Sequence, residues 1–340
     1  MESSLVMTSS ENGRVLNVKI VRWGSWGDYL AICRLDHFIK HIFVVPGIIL
    51  ALILRSSEGA LTLRTFAFVM LSVSFSASAN YVINEWLDRH FDRHHPHKAQ
   101  RPCVAKKMSP ALVYGEYALL GGLGIFFGLM AGTLTAVTAA TLLICGIIYN
   151  VPPLRSKDIA FVDVLSESIN NPIRLIFGWS MVDQSTLPPA SILIAYWMGG
   201  AFLMAIKRLA EYREISKSHN VAHLHSYRRS FRFYTEQRLL LCSFGYALIA
   251  VFGLSVFLIK YRIEYVVLMP FVCLLFCFYF RTGLQPGSAA QAPEKLYRER
   301  TLVGLVLVVA ALFGLLTVTD LPFLNSLMNP YFIQLPGVKM

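Results

Sequence analysis

The sequence is poor in charge and has no cysteine pattern. Only 15% of its 340 residues are Asp, Glu, Lys or Arg, whereas ordinary soluble domains have about 25%. The six cysteines are scattered, with neither the paired spacing of a disulfide framework nor a CxxC motif. These deficits exclude a disulfide-stapled secreted domain and a cysteine-based zinc or redox site, and they argue against a soluble enzyme.

Long apolar runs occupy most of the chain instead. Hydrophobic residues make up 55% of the sequence, and the mean hydropathy is +0.54. A spanning helix needs about 20 mostly apolar residues, and the runs lack the alternation of a membrane β-barrel. The sequence therefore predicts an all-α membrane protein, a bundle of nine transmembrane helices. The predicted spans are residues 38–54, 64–84, 111–131, 133–149, 161–182, 190–206, 238–258, 263–280 and 301–318.

Basic residues are concentrated in alternate loops. With nine spans and a cytoplasmic N-terminus, the loops on one side hold 20 of the 31 Lys and Arg residues, and the opposite loops and tail hold five. Because basic loops face the cytoplasm, we expect a multi-pass protein of the inner or plasma membrane, with a polar cavity and active site facing the cytoplasm. The net charge of +11 then reflects topology and anion binding, and no nucleic acid partner is expected.

One large domain lies between two terminal segments. Residues 36–320 form the predicted nine-helix intramembrane domain, and residues 321–340 form a short non-cytoplasmic tail. In residues 1–35, Trp23 and Trp26 are typical of an interfacial segment in contact with membrane lipids, although a flexible segment remains the alternative. The sequence leaves open whether the protein is a homo-oligomer.

Two aspartates follow the second predicted span. On a helix, Asp88 and Asp92 lie on one face about one turn apart, and Asn84 lies one turn earlier. Such oxygen ligands bind Mg²⁺ and leave positions for water and substrate phosphate, so these three residues are the predicted metal site. Lys98 and Arg101 follow as phosphate-binding residues. Juxtamembrane carboxylates are costly unless they are used, which favours this interpretation over a solvated helix end.

The next loop on the same predicted side adds two cations. Pro152-Pro153 forces irregular backbone, which a membrane tolerates where protein or a cavity satisfies it. Arg155 and Lys157 would then lie near the preceding loop on that side, which carries Asp88 and Asp92, and would serve as phosphate ligands. Ordinary anchoring of the loop at the cytoplasmic surface is the alternative for each cation taken singly.

Further charges lie in and after later spans. Asp163, Glu167 and Arg174 occur at helical spacing in the fifth span, where buried charges are expected to pair or to line the cavity. Lys207 and Arg208 end the sixth span. An arginine can bind phosphate through two parallel hydrogen bonds, whereas a lysine acts as a mobile point charge.

Together these motifs resemble the UbiA superfamily of intramembrane prenyltransferases. The resemblance extends over most of the chain from about residue 38, and it implies a nine-helix fold, Mg²⁺ as the cofactor and a diphosphate substrate. It rests on Asn84-x-x-x-Asp88-x-x-x-Asp92, on its extension His95-Pro96-x-Lys98-x-x-Arg101-Pro102, and on Tyr149, Pro152-Pro153 and Lys157.

One departure from the usual superfamily motifs makes the sequence resemble a particular branch. The superfamily usually carries a second aspartate-rich motif after the sixth span, which helps to bind a second magnesium. Here that position holds Lys207-Arg208-x-Ala210-Glu211, which is similar to the decaprenyl-phosphate phosphoribosyltransferase branch. Arg174, Tyr234-Thr235 and Arg298-Glu299-Arg300 are also similar to that branch, whereas Pro152-Pro153 is closer to the general superfamily and Asn84-Glu85 replaces the usual Asn-Asp.

The sequence thus predicts a Mg²⁺-dependent transferase that moves 5-phosphoribosyl from phosphoribosyl diphosphate to a polyprenyl phosphate and releases diphosphate. One alternative is a prenyltransferase that moves an isoprenoid chain from prenyl diphosphate to an aromatic or other acceptor. Another is a non-enzymatic lipid-phosphate transporter or scaffold, although a passive anion site gains nothing from Asp88 and Asp92. The predicted catalytic residues are Asp88, Asp92 and Lys157. The predicted substrate-binding residues are Lys98, Arg101, Tyr149, Arg155, Asp163, Glu167, Arg174, Lys207, Arg208, Glu211 and Tyr234.

Overall fold

The structure, a computed structural model, describes residues 23–55, 59–93, 98–218, 229–285, 287–288, 290, 296 and 299–327. Regular secondary structure in these ranges is helical, apart from one isolated β-bridge between Trp23 and Lys107. The predicted all-α class is therefore confirmed. The α-helices are α1 (Trp26–Ile32), α2 (Val45–Leu54), α3 (Leu63–Asp92), α4 (Pro102–Ala105), α5 (Pro110–Ala131), α6 (Thr133–Asn150), α7 (Val162–Ser168), α8 (Asn170–Ser180), α9 (Ala190–Ser218), α10 (Glu236–Tyr261), α11 (Met269–Leu284), α12 (Arg300–Val318) and α13 (Pro322–Leu327). Short 3-10 segments cover Leu35–Val44, Lys98–Gln100, Ser156–Asp158, Arg229–Arg232 and Ile263–Leu268.

Seven helical segments of the described chain are long and apolar enough to cross a membrane. The other two predicted spans fall on shorter helices: the first is limited to Phe38–Leu54, and the fifth is divided between α7 and α8. A multi-pass membrane bundle is thus confirmed, and the count of nine stays a prediction. The seven segments are Leu63–Asp92, Pro110–Ala131, Thr133–Asn150, Ala190–Ser216, Glu236–Tyr261, Ile263–Leu284 and Arg300–Val318.

Helix α3 continues past the predicted apolar span and carries the acidic motif at its end. It begins after Thr62, whose hydroxyl caps the helix by accepting a hydrogen bond from the Thr65 N–H at 3.1 Å. It runs for 30 residues, or about 45 Å, which exceeds the hydrocarbon thickness of about 30 Å. Asp88 and Asp92 therefore share one helix and lie beyond its apolar part.

A glycine separates the two helices that follow. Gly132, between α5 and α6, has a φ of +150°, which is accessible to glycine but strained for other residues. A Cβ atom there would lie 2.5 Å from Gln184 Oε1. The chain can therefore reverse between two spans with a single connecting residue, as the boundary at residues 131–133 predicts.

Packing holds the polar loops against the helices. Helix α3 packs on α5 and α6, and α9 packs on α7 and α10. Phe231 and Tyr234 belong to one apolar cluster with Ile206 and Leu209 of α9. This cluster fixes the segment before α10 against the end of α9, where several predicted site residues lie.

Apolar side chains cover the outside of the bundle. Leu241, Phe244 and Phe252 of α10 and Leu307 and Leu315 of α12 are all exposed. An apolar surface of this extent marks an interaction site on a soluble protein, but it suits a surface that contacts lipid.

The described part of the N-terminal segment packs on α3. Tyr29 and Ile32 of α1 are buried in a cluster with Trp86 and Cys103, whereas Trp26 is 75% exposed. An exposed tryptophan suits the predicted contact with headgroups. That contact itself stays a prediction.

Candidate active site

Asp88 forms two ion pairs with the loop after α6. Arg155 Nη2 lies 2.8 Å and Lys157 Nζ lies 2.6 Å from its Oδ1. The loop turns back toward α3 because Arg155 has a φ of +26° and leads into the 3-10 turn Ser156–Asp158. The structure therefore brings the predicted phosphate-binding residues Arg155 and Lys157 to the predicted metal ligand Asp88.

Asn150 connects three elements of this site. Its Oδ1 accepts hydrogen bonds from Asn84 Nδ2 at 2.6 Å and from Lys157 Nζ at 2.7 Å. Its Nδ2 donates to the Gly146 carbonyl at 2.9 Å, which fixes the orientation of the amide. Asn150 thereby positions both Asn84 and Lys157 relative to Asp88.

Asp92 binds the cations that follow it in sequence. Arg101 Nη1 donates to its Oδ2, and Lys98 Nζ lies 3.8 Å from its Oδ1. Asp92 is 5% exposed, so its charge is compensated within the protein. The first motif thus folds into a compact group of two carboxylates and two cations. The His95-Pro96 part of the motif lies outside the described residues.

A second charged cluster surrounds Arg208. Its guanidinium lies 2.8 Å from Glu167 Oε2, 2.8 Å from Glu211 Oε2 and 3.4 Å from Asp163 Oδ2. Arg208 is 3% exposed and Asp163 is fully buried, and such burial strengthens these ion pairs. Arg208 was expected to bind phosphate. The structure gives it three carboxylate partners, whose charges outnumber its single positive charge.

Tyr234 supports this second cluster from the segment before α10. Its hydroxyl donates to Asp163 Oδ1 and accepts a hydrogen bond from the Phe161 N–H at 2.8 Å. Ser230 Oγ donates to Asp163 Oδ2 at 3.2 Å. Burial raises the pKa of the Tyr234 phenol, and the Asp163 carboxylate raises it further, so Tyr234 stays protonated and donates.

Tyr149 and Lys98 connect this Arg208 cluster to the first cluster, which comprises Asn84, Asp88, Asp92 and their basic partners. The Tyr149 hydroxyl donates to Glu167 Oε2 at 3.1 Å, while Lys157 Nζ lies 5.6 Å from the centre of the Tyr149 ring. Lys98 and Lys207 both interact electrostatically with Glu211. The predicted residues at the ends of α3, α6 and α9 and in the segments that follow α3 and α6 therefore form one continuous polar site.

Arg174 and Glu85 lie apart from this site. Arg174 is buried two helical turns beyond Glu167, and its Nη1 donates to the Asn170 carbonyl at 3.5 Å. Glu85, which replaces the aspartate usual in the resembled motif, is 2% exposed and pairs with Arg34 Nη2 at 3.1 Å. It also accepts a hydrogen bond from the Cys103 N–H at 3.4 Å. Glu85 therefore anchors α3 to its neighbours.

Sequence reasoning missed several residues of the site. Asn150 carries a recognisable signal, since it is a polar amide at the end of an apolar run. Asp158 and Arg229 carry none. Arg229 pairs with Asp158 at 3.4 Å, and its guanidinium and that of Arg155 both lie over the Phe91 ring. The predicted Arg298 lies outside the described residues.

The ligand set of the first cluster suits a hard divalent cation. Asp88, Asp92 and Asn84 provide carboxylate and amide oxygens, which Mg²⁺ prefers. Within the described ranges, no group of three or more His, Cys, Asp or Glu side chains converges as a ready-made metal site. Substrate phosphate and water would have to complete the coordination. The neighbouring Arg155 and Lys157 suit that anionic ligand.

Sequence comparisons relate the chain to prenyltransferases. The sequence model of the UbiA prenyltransferase family matches residues 44–298. A protoheme IX farnesyltransferase of Alkalihalophilus pseudofirmus is 25% identical over 60% of this chain and 66% of that protein. A 4-hydroxybenzoate octaprenyltransferase of Photobacterium profundum is 23% identical over 50% of this chain and 55% of that protein. The chain thus spans less than two thirds of these curated relatives.

A solved structure shares the fold. A UbiA homologue from Archaeoglobus fulgidus, bound to DMAPP and Mg²⁺, has a TM-score of 0.64 and 18% identity, covering 86% of this chain and 100% of that chain. At this identity, the likeness shows the fold alone. The predicted Mg²⁺ is consistent with the ion in that homologue.

Proposed function

This chain belongs to the UbiA prenyltransferase family, and we propose that it is a Mg²⁺-dependent intramembrane transferase that releases diphosphate from an isoprenoid diphosphate. One observation carries the proposal: Asp88, one helical turn from Asp92, lies within 2.8 Å of Arg155 and Lys157. Carboxylates that suit a metal thus adjoin cations that suit phosphate. A passive lipid-phosphate site would need only the cations.

The residues of the first cluster have separate tasks in this reaction. Asp88, Asp92 and Asn84 would hold Mg²⁺, which would neutralise charge developing on the leaving diphosphate. Lys157 and Arg155 donate hydrogen bonds to the diphosphate oxygens. Asn150 keeps the Lys157 ammonium in position through its 2.7 Å hydrogen bond. Donors that are held in place before the reaction stabilise charge without reorganising.

Arg101 and Lys98 extend this set of donors on the other side of the acidic motif. Both lie next to Asp92, one helical turn beyond Asp88. A diphosphate carries several negative oxygens, so it needs cations on more than one side. Together the four basic side chains surround the predicted metal site.

A prenyl chain is the transferred group that we favour. The relatives are named for farnesyl and octaprenyl transfer, and the similar solved structure holds DMAPP. The surplus of cations that predicted a phosphoribosyl donor is also smaller than the sequence indicates, because three carboxylates pair with Arg208 and more than neutralise it. We assign Glu167 to the acceptor side of the site, and Asp163, which is fully buried, supports it through their shared partner Arg208.

Transfer of 5-phosphoribosyl to a polyprenyl phosphate is the second candidate. The observation that favours it is the polar lining beyond the first cluster. Lys98 and Lys207 lie near Glu211, and they suit the 5-phosphate of such a donor. The carboxylate of Glu167, which is 29% exposed, would accept hydrogen bonds from ribose hydroxyls. A prenyl chain would use none of these groups.

We further propose that residues 36–320 form the catalytic domain, with nine membrane crossings and the site facing the cytoplasm. The excess of Lys and Arg in the loops that carry the site supports this orientation.

Diphosphate release from purified protein in nanodiscs tests these proposals. One set of reactions contains prenyl diphosphates with an aromatic acid, and the other contains phosphoribosyl diphosphate with polyprenyl phosphate, each with and without Mg²⁺. We expect Mg²⁺-dependent release in the first set, loss of release in Asp88→Asn, and no change in the control Asp320→Asn, whose carboxylate is 82% exposed. Release only in the second set would select the second candidate. No release in either set would overturn the enzyme proposal.

A further inference from the structure

The described part of the N-terminal segment is bonded to the chain that follows α3. Asp28 Oδ1 and Oδ2 accept hydrogen bonds from Lys106 Nζ at 2.7 and 2.8 Å. The Gly24 N–H donates to the Lys107 carbonyl at 2.9 Å. We refer to residues 23–34 as the N-terminal clasp. It holds the chain just beyond the C-terminal end of α4.

Two of the long helices fix the position of the clasp. Arg34 Nη2 lies 3.1 Å from Glu85 Oε2 of α3, and Cys33 Sγ donates to Glu116 Oε1 of α5 at 2.9 Å. Glu85 Oε1 also accepts a hydrogen bond from the Cys103 N–H of α4 at 3.4 Å. The clasp and α4 are therefore both held against the helix that carries the acidic motif.

Helix α4 is a single turn that joins two basic residues. The Arg101 carbonyl accepts hydrogen bonds from the Val104 and Ala105 N–H groups, both at 2.9 Å. The Lys106 N–H donates to the Pro102 carbonyl at 3.0 Å. These backbone hydrogen bonds make one compact unit, with Arg101 at its start and Lys106 at its end. A displacement of one end therefore displaces the other.

The two ends of this turn bind different parts of the molecule. Arg101 Nη1 donates to Asp92 Oδ2 in the candidate active site, whereas Lys106 binds Asp28 of the clasp. Asp28 Oδ2 also accepts hydrogen bonds from the Ser25 N–H and hydroxyl, each at 2.7 Å, which fix the position of the carboxylate. Helix α4 thus connects the clasp to a side chain that we assign to the diphosphate.

A flexible arginine binds an anion less tightly when its backbone must also be ordered. Ordering of side chains and loops on binding reduces affinity, and donors that are held in place beforehand avoid this loss. We propose that the N-terminal clasp positions Arg101 for the diphosphate, and that Asp28 and Lys106 act through α4 without touching the substrate. This inference rests on the proposed function, because that function assigns Arg101 to the diphosphate.

Binding of inorganic diphosphate, the product of both candidate reactions, tests the clasp. The whole chain in nanodiscs is titrated with diphosphate at saturating Mg²⁺ in a calorimeter. We expect Asp28→Asn and Lys106→Gln each to weaken binding about 3- to 10-fold, within the range for side chains coupled in one network. Both variants should fold, because the Lys106 side chain is 37% exposed and such ion pairs contribute little to stability.

The two variants separate positioning from the effect of charge alone. Asp28→Asn removes a negative charge and Lys106→Gln removes a positive one, so long-range electrostatics would strengthen diphosphate binding in the first and weaken it in the second. Positioning predicts weaker binding in both. Stronger or unchanged binding in Asp28→Asn overturns the inference. The control Asp320→Asn, whose carboxylate is 82% exposed, should keep the wild-type affinity.

A double-mutant cycle shows whether the clasp acts through Arg101. Arg101→Gln alone should weaken diphosphate binding about 10- to 100-fold, the range for a charge-assisted hydrogen bond. Adding Asp28→Asn to it should have no further effect, and an additive loss overturns the inference. If Asp28→Asn does not fold, Lys106→Gln takes its place in the cycle. A wild type that shows this coupling but never releases diphosphate from a donor overturns the proposed function alone, and one that binds no diphosphate overturns both.

Discussion

Lys157 Nζ lies 2.6 Å from Asp88 Oδ1, although Asp88 belongs to helix α3 and Lys157 to the 3-10 turn after α6. The ammonium also donates to Asn150 Oδ1 at 2.7 Å and is 5% exposed. If Asp88 binds the metal as proposed, a lysine held this rigidly beside it would be oriented for a phosphate that binds the same metal. The pair therefore joins the metal side of the site to its phosphate side.

Removing the Lys157 charge should abolish most of the activity. We expect Lys157→Gln to lower kcat by about 100- to 1,000-fold, the range for loss of one preorganised donor at a developing charge. Lys157→Arg should recover part of it. Steady-state diphosphate release measures both variants. Lys260→Gln, at the far end of α10, is the matched control, and a Lys157→Gln enzyme as active as this control would contradict the assignment.

Asn150 should act through its neighbours. Asn150→Ala removes the acceptor shared by Asn84 and Lys157, so we expect the Mg²⁺ concentration for half-maximal activity to rise about 10- to 100-fold, as for other residues that orient metal ligands. A Mg²⁺ titration of activity measures this shift. Asn80→Ala is the control, since Asn80 bonds to the Leu142 carbonyl. A fall in kcat with an unchanged Mg²⁺ requirement would argue against the role.

Glu85 should matter for stability and not for metal. Glu85→Gln leaves Arg34 without its buried partner, which should cost about 3 kcal/mol of unfolding free energy. Thermal unfolding in detergent should therefore begin at a lower temperature. The folded fraction should keep the wild-type Mg²⁺ dependence. A changed Mg²⁺ requirement at unchanged stability would instead place Glu85 among the metal ligands.

Removal of the divalent cation should stop turnover and lower the thermal stability of the protein. A chelator should reduce diphosphate release to background, and Mg²⁺ should restore it. Mg²⁺ with diphosphate should raise the midpoint of thermal unfolding, because a ligand that binds only the folded state stabilises it. Asp92→Asn should lose this rise, whereas Asp320→Asn should keep it. Turnover that survives chelation would exclude the proposed metal role.

Asp183 should make stability depend on pH at the low end. Burial alone would raise the pKa of Asp183, but hydrogen bonds from Ser185, Thr186 and Arg55 outweigh it and hold the pKa below its usual value. A lowered folded-state pKa contributes stability above the unfolded pKa of about 4, and this contribution is lost as pH falls. Asp183→Asn should thus unfold at a lower temperature than wild type at pH 7. The gap should narrow below about pH 4, as thermal scans at several pH values would show.

Much of the active site follows from short-range pattern. Asp88 and Asp92 are four residues apart, so any helix through them places both carboxylates on one side. That requirement depends on local geometry alone. Apolar length likewise indicates the membrane helices, because lipid leaves backbone groups no partner outside the segment itself.

Partners distant in sequence could not be inferred in this way. Arg208 has the residue type of a phosphate ligand, yet Asp163, Glu167 and Glu211 enclose it. Asp163 and Glu167 belong to α7, and only the packing of α7 on α9 brings them to it. The role of Asn150 could not be inferred from sequence either, because it depends on Asn84 and Lys157 both donating hydrogen bonds to its Oδ1.

The sequence by itself determined the membrane class, the helical architecture and the acidic motif, because each depends on composition or on spacing within one helix. The tertiary structure decided which charges compensate each other. It paired Lys157 with Asp88 and paired Arg208 with three carboxylates. Arg174 instead bonds to the Asn170 carbonyl, apart from both charged clusters. Those outcomes depend on how closely separate helices approach. That distance is set by side-chain packing and by glycines such as Gly47 and Gly178, where a Cβ atom would collide with facing backbone. A local sequence pattern does not predict it.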